Sequence, residues 1–154
     1  MFQLKINDSK KILSTKEIKL IKKIANLIFK AEKLEGKIIF ELHIINNYKS
    51  KKINAKFRNK DYATDVISFS LWENSEIRSS LLGEIFLNYD KVLSQAKKHK
   101  HSILRELAFL VSHGIYHLLC YDHIAPDDAK IMFAKQYQIL KLVGLGSIND
   151  IVND

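Results

Sequence analysis

Three histidines in the last third of the chain constrain its fold more than any other feature. His113 and His117 are four residues apart, and His123 follows six residues later. Residues four apart on an α-helix lie about 40° apart around the axis and about 6 Å along it, so two imidazoles at this spacing can bind one metal ion. The spacing therefore predicts a zinc site built on a helix.

His123 determines where that helix must end. On a continuing helix it would lie about 80° off the shared face and about 15 Å beyond His113, out of reach of the same ion. The helix is therefore expected to end near residues 119–121, and the chain to turn back and present His123 as the third ligand. Three protein ligands leave a fourth tetrahedral position for water, as in catalytic zinc sites. We expect one Zn²⁺ per chain, bound by His113, His117 and His123.

Two alternatives for these residues remain open. Cys120 lies three residues after His117 and seven after His113, so a helix that continued for another turn would place a thiol on the same face and create a His-His-Cys site. The other alternative is that the three histidines are ordinary packing, surface and turn residues.

The residue after the first histidine bears on the reaction class. In the protease motif H-E-x-x-H a glutamate at that position is the general base, whereas this chain has Gly114. Peptidase or amidase activity is disfavoured for this reason. It remains an alternative, because a base can come from elsewhere in the chain.

Taken together, these motifs resemble the bacterial YbeY family. The matching segments are His113-Gly114, His117-Leu118, Tyr121-Asp122-His123, Phe57-Arg58-Asn59-Lys60-Asp61, Thr64-Asp65-Val66-Ile67-Ser68-Phe69 and Gly83-Glu84-Ile85. Two positions depart from the family pattern, which usually has aspartate at Glu84 and glycine at Cys120. The resemblance implies a zinc-dependent endoribonuclease in ribosomal RNA maturation.

Arg58 and His113 are the expected catalytic residues. Zinc bound by imidazoles activates water for attack on a phosphodiester, and the guanidinium of Arg58 can donate two hydrogen bonds to phosphate oxygens, stabilising the developing charge and contacting the RNA. The alternative for Arg58 is a structural ion pair with Asp61 or Asp65.

Three carboxylates are further candidates for orienting a ligand or transferring a proton. Asp122 adjoins the third histidine and is expected to orient a ring or cap the turn. Asp65 and Glu84 have the chemistry for proton transfer, but Asp65 can instead satisfy backbone donors and Glu84 can instead be a solvent-facing strand residue.

The expected substrate is single-stranded RNA, and the resemblance implies the 3′ end of small-subunit ribosomal RNA, a role in ribosome quality control, and the ribosome or its proteins as partners. A net charge of +8 suits a polyanion. The lysines of the segments 49–52 and 97–101 either contribute to such binding or form solvated helix faces. A non-enzymatic alternative is a zinc-stabilised ribosome assembly factor in which Cys120 completes a closed four-ligand site.

Length and composition favour one cytoplasmic domain. The 154 residues fit a single domain, residues 1–154, with residues 144–154 as a loose C-terminal tail. One cysteine excludes an internal disulfide, and the chain shows neither a signal-peptide pattern at its start nor an apolar run long enough for a membrane. The oligomeric state cannot be read from the sequence.

Hydrophobic periodicity predicts the order β-α-β-α-β-β-α-α-α, an α+β fold with a small mixed four-stranded sheet packed with helices. The resemblance implies a zincin-like arrangement in which strand 82–87 lies at an antiparallel edge. Ser14 or Thr15 is expected to cap the first helix, which Gly36 ends, and Ser102 the metal helix. The predicted strands are 2–6, 38–45, 64–71 and 82–87, and the helices after the first are 48–57, 89–100, 103–119 and 126–142.

Overall fold

The computed structural model describes residues 2–73 and 78–146. The elements are β1 (Phe2–Asn7), α1 (Thr15–Ala31), β2 (Ile38–Ile45), α2 (Asn47–Arg58), β3 (Val66–Ser70), β4 (Leu81–Asn88), α3 (Tyr89–His99), α4 (Ile103–Leu118) and α5 (Pro126–Leu142). The predicted α+β class and element order are confirmed. Ser14 and Ser102 cap α1 and α4 as expected, but α1 ends at Ala31, well before Gly36, because the chain already turns at Lys33 with a positive φ of 54°.

The sheet has the strand order β1-β2-β4-β3. β2 pairs in parallel with both β1 and β4, and β3 pairs antiparallel with β4. The expectation that strand 82–87 lies at an antiparallel edge is therefore wrong: β4 is internal and β3 is the edge strand. The apolar residues Leu82, Ile85 and Leu87 of β4 are fully buried, as suits a central strand.

One face of the sheet packs against α1 and α4, and the core lies between them. Helix α4 also contacts α3 and α5, so it is enclosed on several sides. Its apolar residues Leu107, Ala108, Val111 and Ile115 are almost fully buried, and Leu104 is partly buried. A helix packed in this way holds the side chains on its remaining face in fixed positions.

Gly114 lets α4 lie close to the sheet. A Cβ atom at this position would lie 3.1 Å from Ile85 Cγ2 and 3.3 Å from Val66 Cγ2. Two hydroxyls of the edge strand add hydrogen bonds to the same helix: Ser68 donates to the Gly114 carbonyl at 3.2 Å and Ser70 to the Leu118 carbonyl at 2.7 Å. The C-terminal half of α4 is thus attached to β3 and β4.

Helix α4 ends at Leu118 in a Schellman turn. The Cys120 N–H donates to the His117 carbonyl at 2.9 Å and the Tyr121 N–H to the Tyr116 carbonyl at 3.0 Å. Cys120 occupies the left-handed position of this turn with φ 73°, where glycine is normally preferred. The prediction that the helix ends before His123 is confirmed, with the last helical residue one position earlier than expected.

One expectation falls largely outside the described residues. The predicted C-terminal tail, residues 144–154, is described only to residue 146. In the part of the chain that the structure does describe, no helix has the length and apolarity needed to cross a membrane.

Replacing Cys120 with glycine is expected to stabilise the protein. Glycine adopts the left-handed conformation without the Cβ penalty, so the free energy of unfolding should rise by about 0.5–1 kcal/mol in urea denaturation. The matched variant Cys120→Ala keeps a Cβ and should show no such gain. Equal stability of the two variants would contradict the assignment of strain to this position.

Candidate metal centre

The structure brings the three predicted histidines together. Ring nitrogens of His113, His117 and His123 lie within 4.8 Å of one another, although His123 comes from the turn after α4 and the other two from the helix itself. The three rings lie at one wall of a cavity of about 850 Å³, between the C-terminal half of α4 and the edge strand β3.

Hydrogen bonds fix the orientation of the two helical rings. His117 Nδ1 lies 2.9 Å from the Tyr121 carbonyl, and His113 Nδ1 lies 3.1 Å from Oε1 of Gln136. Both partners are oxygen acceptors, so in each ring Nδ1 carries the hydrogen. Each Nε2 is then left with a free lone pair, which is the tautomer that a metal ligand requires.

The two Nε2 atoms lie 3.0 Å apart and point at one another. Two lone pairs at this distance repel unless a proton or a metal ion lies between them. A shared proton is disfavoured, because burial lowers the pKa of both histidines, that of His117 to about 4. Nitrogens bound to tetrahedral zinc are about 3.3 Å apart, so this donor set fits a zinc-like cation.

Tyr121 anchors the turn that carries His123. Its ring packs edge-on against Tyr116 with centroids 5.4 Å apart, and its hydroxyl donates a hydrogen bond to Glu32 just after α1. Asp122 accepts a hydrogen bond from the Ile124 N–H at 3.2 Å, which places its carboxylate within the turn. These contacts hold the turn that carries His123, although the side chain of His123 is exposed.

Cys120 lines the cavity but does not join the ligand group. Because α4 ends at Leu118, Cys120 has left the helical face that the His-His-Cys alternative required. Its Sγ lies 3.8 Å from Ser70 Oγ and 3.9 Å from the Leu118 carbonyl. In the described residues, the arrangement offers three nitrogen donors, and the thiol is not among the candidate ligands.

Arg58 and Asp65 line the same cavity. Arg58 ends α2, donates to the Ser68 carbonyl at 3.4 Å, and lies with Cζ 6.0 Å from the centre of the Phe69 ring. Within residues 2–73 and 78–146 it forms no ion pair with Asp61 or Asp65. Its positive charge contributes to the lowered pKa of His117. Asp65 Oδ1 accepts a hydrogen bond from the Val66 N–H at 2.7 Å.

Glu84 lies on the opposite face of the sheet. Its carboxylate is 3.1 Å from His43 Nε2, and it is not among the residues around the cavity. The neighbouring residue Ile85 points toward Gly114, so strand alternation directs Glu84 away from α4. The structure therefore separates Glu84 from the other candidate residues.

The three histidines without a spacing partner in the sequence also lie near carboxylates. His43 contacts Glu84, and His101 Nε2 lies 2.6 Å from the buried Glu106, with His99 close by. Glu106 also accepts a hydrogen bond from Gln95 at 2.6 Å. Only the contact between His43 and Glu84 joins distant parts of the chain, since His101 and Glu106 are five residues apart.

Sequence reasoning missed Gln136 of α5. This side chain is 1% exposed, and its amide nitrogen donates to the Phe109 carbonyl at 3.2 Å, which fixes Oε1 toward His113. The available signal was its position in the apolar stripe formed by Met132, Ile139 and Leu140, where an amide is unusual.

Replacing Gln136 with leucine is expected to weaken zinc binding about 10–100-fold, since the His113 ring loses its orienting acceptor. Competition with a chromophoric chelator measures the affinity. The control is Gln138→Leu, a solvent-exposed glutamine on the same helix. Native zinc affinity in the Gln136 variant would show that this hydrogen bond has no role in metal binding.

Comparisons with known proteins identify the family of this chain. The family model described as Endoribonuclease YbeY matches residues 3–144. A relative of that name from Malacoplasma penetrans is 65% identical, over 97% of this chain and 100% of its own, and one from Ureaplasma parvum is 43% identical, over 96% of each. A solution structure from Thermotoga maritima has a TM-score of 0.64 at 28% identity, covering 92% of this chain and 87% of its own. The chain belongs to the YbeY family of endoribonucleases.

Proposed function

We propose that this protein is a zinc-dependent endoribonuclease that cleaves single-stranded RNA. Its proposed substrate is ribosomal RNA at the 3′ end of the small-subunit RNA, cut during maturation and quality control of ribosomes in the cytoplasm, with the ribosome or its proteins as partners. Family membership supports the endoribonuclease activity. The observation that carries the proposal is the group of three histidines in a cavity that Arg58 also lines.

One zinc ion per chain is the cofactor that suits this donor set. Three neutral imidazoles match the nitrogen ligands of catalytic zinc and leave a coordination position for a further molecule. When bound, the ion supplies Lewis acidity and an activated water molecule at the scissile phosphodiester. His113, His117 and His123 would hold it, with Gln136 and the Tyr121 carbonyl fixing two of the rings.

Arg58 has the role of binding and stabilising the phosphodiester. Its guanidinium remains charged at every relevant pH and can donate two parallel hydrogen bonds to phosphate oxygens as negative charge develops. It is exposed, and within residues 2–73 and 78–146 its one hydrogen bond, to the Ser68 carbonyl, is long, so little must be broken before it contacts RNA.

Two carboxylates have supporting roles in this proposal. Asp65 lies at the cavity with one oxygen bound to the Val66 N–H, and its carboxylate is the group assigned to proton transfer. Asp122 maintains the turn that presents His123.

Purified native protein of measured zinc content is expected to cut a labelled single-stranded RNA. The His117→Ala variant should lose both zinc and cleavage. The Arg58→Ala variant should retain zinc and lose about 10²-fold or more in kcat/KM, because a donor to the transition state is removed, and Arg58→Lys should restore only part of this loss.

Arg78 provides a matched control for Arg58. It is an exposed arginine whose Cζ lies 5.0 Å from the centre of the Trp72 ring, and it lines a separate depression beside Cys120 and Tyr121, so Arg78→Ala removes a similar surface contact without removing a group from the cavity of the histidines. Equal cleavage by native protein and His117→Ala would identify a contaminating nuclease and refute the zinc mechanism. Native activity in Arg58→Ala would refute the role of the arginine but would leave the zinc mechanism standing.

A further inference from the structure

The solvent-facing side of α2 combines positive charge with exposed aromatic rings. The helix carries Lys49, Lys51, Lys52 and Lys56 and ends at Arg58, and it has no acidic residue between Asn47 and Arg58. We infer that this side of α2 is a binding surface for single-stranded RNA leading to the catalytic cavity, with Tyr48 stacking on a base and the lysines contacting phosphates. This inference rests on the proposed function and identifies where the substrate lies outside the cavity.

The buried side of α2 determines which residues face solvent. Ser50 and Asn54 are 1% exposed, and their side chains donate to the carbonyls of Thr64 and Tyr62 at 2.8 and 2.9 Å. Residues four apart share a helix face, so Tyr48, Lys52 and Lys56 form a stripe on the side opposite these anchors. The hydrogen bonds of Ser50 and Asn54 therefore fix α2 with this stripe facing solvent.

A shallow depression lies along this stripe. Its volume is about 580 Å³, and Tyr48, Lys51, Lys52, Ala55, Lys56 and Asp61 surround it. Ala55 contributes only a methyl group, which leaves space between the longer side chains. Tyr48 is 68% exposed and has Lys52 Nζ 4.8 Å from its ring centre. An exposed ring beside ammonium groups provides both of the contacts by which proteins bind single-stranded nucleic acid, base stacking and phosphate neutralisation.

The surface is continuous with the candidate metal centre. Lys51 at the edge of the depression and Arg58 are seven residues apart, which places them about 20° apart around the helix axis and about 10 Å along it, and Arg58 and Lys60 line the cavity of the three histidines. Phe57, just before Arg58, is 59% exposed. An RNA strand lying along α2 would therefore reach the cavity at Arg58. Basic groups would attract either RNA or an acidic protein segment. The exposed aromatic rings favour RNA, because they can also stack on its bases.

The test uses native full-length protein and a labelled single-stranded RNA long enough to cover both α2 and the cavity. The combined variant Lys51→Gln, Lys52→Gln and Lys56→Gln should bind this RNA about tenfold or more weakly by fluorescence anisotropy. The slope of log Kd against log salt concentration should fall by about 2, since three single-strand phosphate contacts are removed. Denaturing gels of the same samples ensure that only intact RNA is counted.

A matched charge control is available on α1. Lys19, Lys22 and Lys23 are exposed helical lysines, and their combined replacement by glutamine changes the net charge by the same amount. This control should change the affinity less than about twofold. Tyr48→Ala should weaken binding about tenfold and Tyr48→Phe should restore it, because phenylalanine retains the stacking face. Thermal unfolding confirms that each variant is folded.

The outcomes separate this inference from the proposed function. If the native protein cleaves RNA and the α2 variants keep the native KM and affinity, the inference about α2 is overturned and the proposed function is not. Equal losses in the α1 and α2 combined variants would also overturn it, because a general charge effect would then explain both. RNA binding that depends on α2 without any cleavage would support the inference and refute the proposed function.

Discussion

The position at which α4 ends is the constraint on which the candidate site depends. Two of the candidate ligands lie on the helix, and the third is ten residues beyond the first, so one ion can contact all three only if the chain reverses soon after the second. The Schellman turn at Cys120 achieves this reversal. His117 takes part in it as well, since its Nδ1 lies 2.9 Å from the carbonyl of Tyr121, and a candidate ligand thereby also stabilises the turn that carries His123.

The antiparallel edge strand provides the other wall of the site. Ser68 and Ser70 of β3 bind the C-terminal half of α4, Arg58 ends α2, and Asp65 ends the segment that connects α2 to β3. One short region of chain therefore contributes both a cation and a carboxylate to the cavity of the histidines. Among the described strands, β3 has no partner on its outer side.

Local sequence signals predicted much of this architecture. The histidine spacing required the helix to end where it does, caps at Ser14 and Ser102 identified helix starts, and Pro126 identified the start of α5. Long-range pairing was not predictable in the same way. The edge strand is β3 instead of β4, and Glu84 faces away from the cavity. Strand order and the direction of each side chain relative to the core depend on partners distant in sequence. Gln136 was missed for the same reason, since its partner lies on another helix.

The close contact at Gly114 restricts how this site can change during evolution. The position that carries the glutamate base in zinc proteases faces Ile85 and Val66 here, with no space even for a methyl group without displacement of its neighbours. A glutamate introduced there would have to enter the apolar interior or lift α4 from the sheet, and both disturb the two helical ligands. A Gly114→Glu substitution alone would therefore change the packing of α4 on the sheet as well as add a carboxylate. A protease-type centre on this scaffold would first need space at Ile85 and Val66.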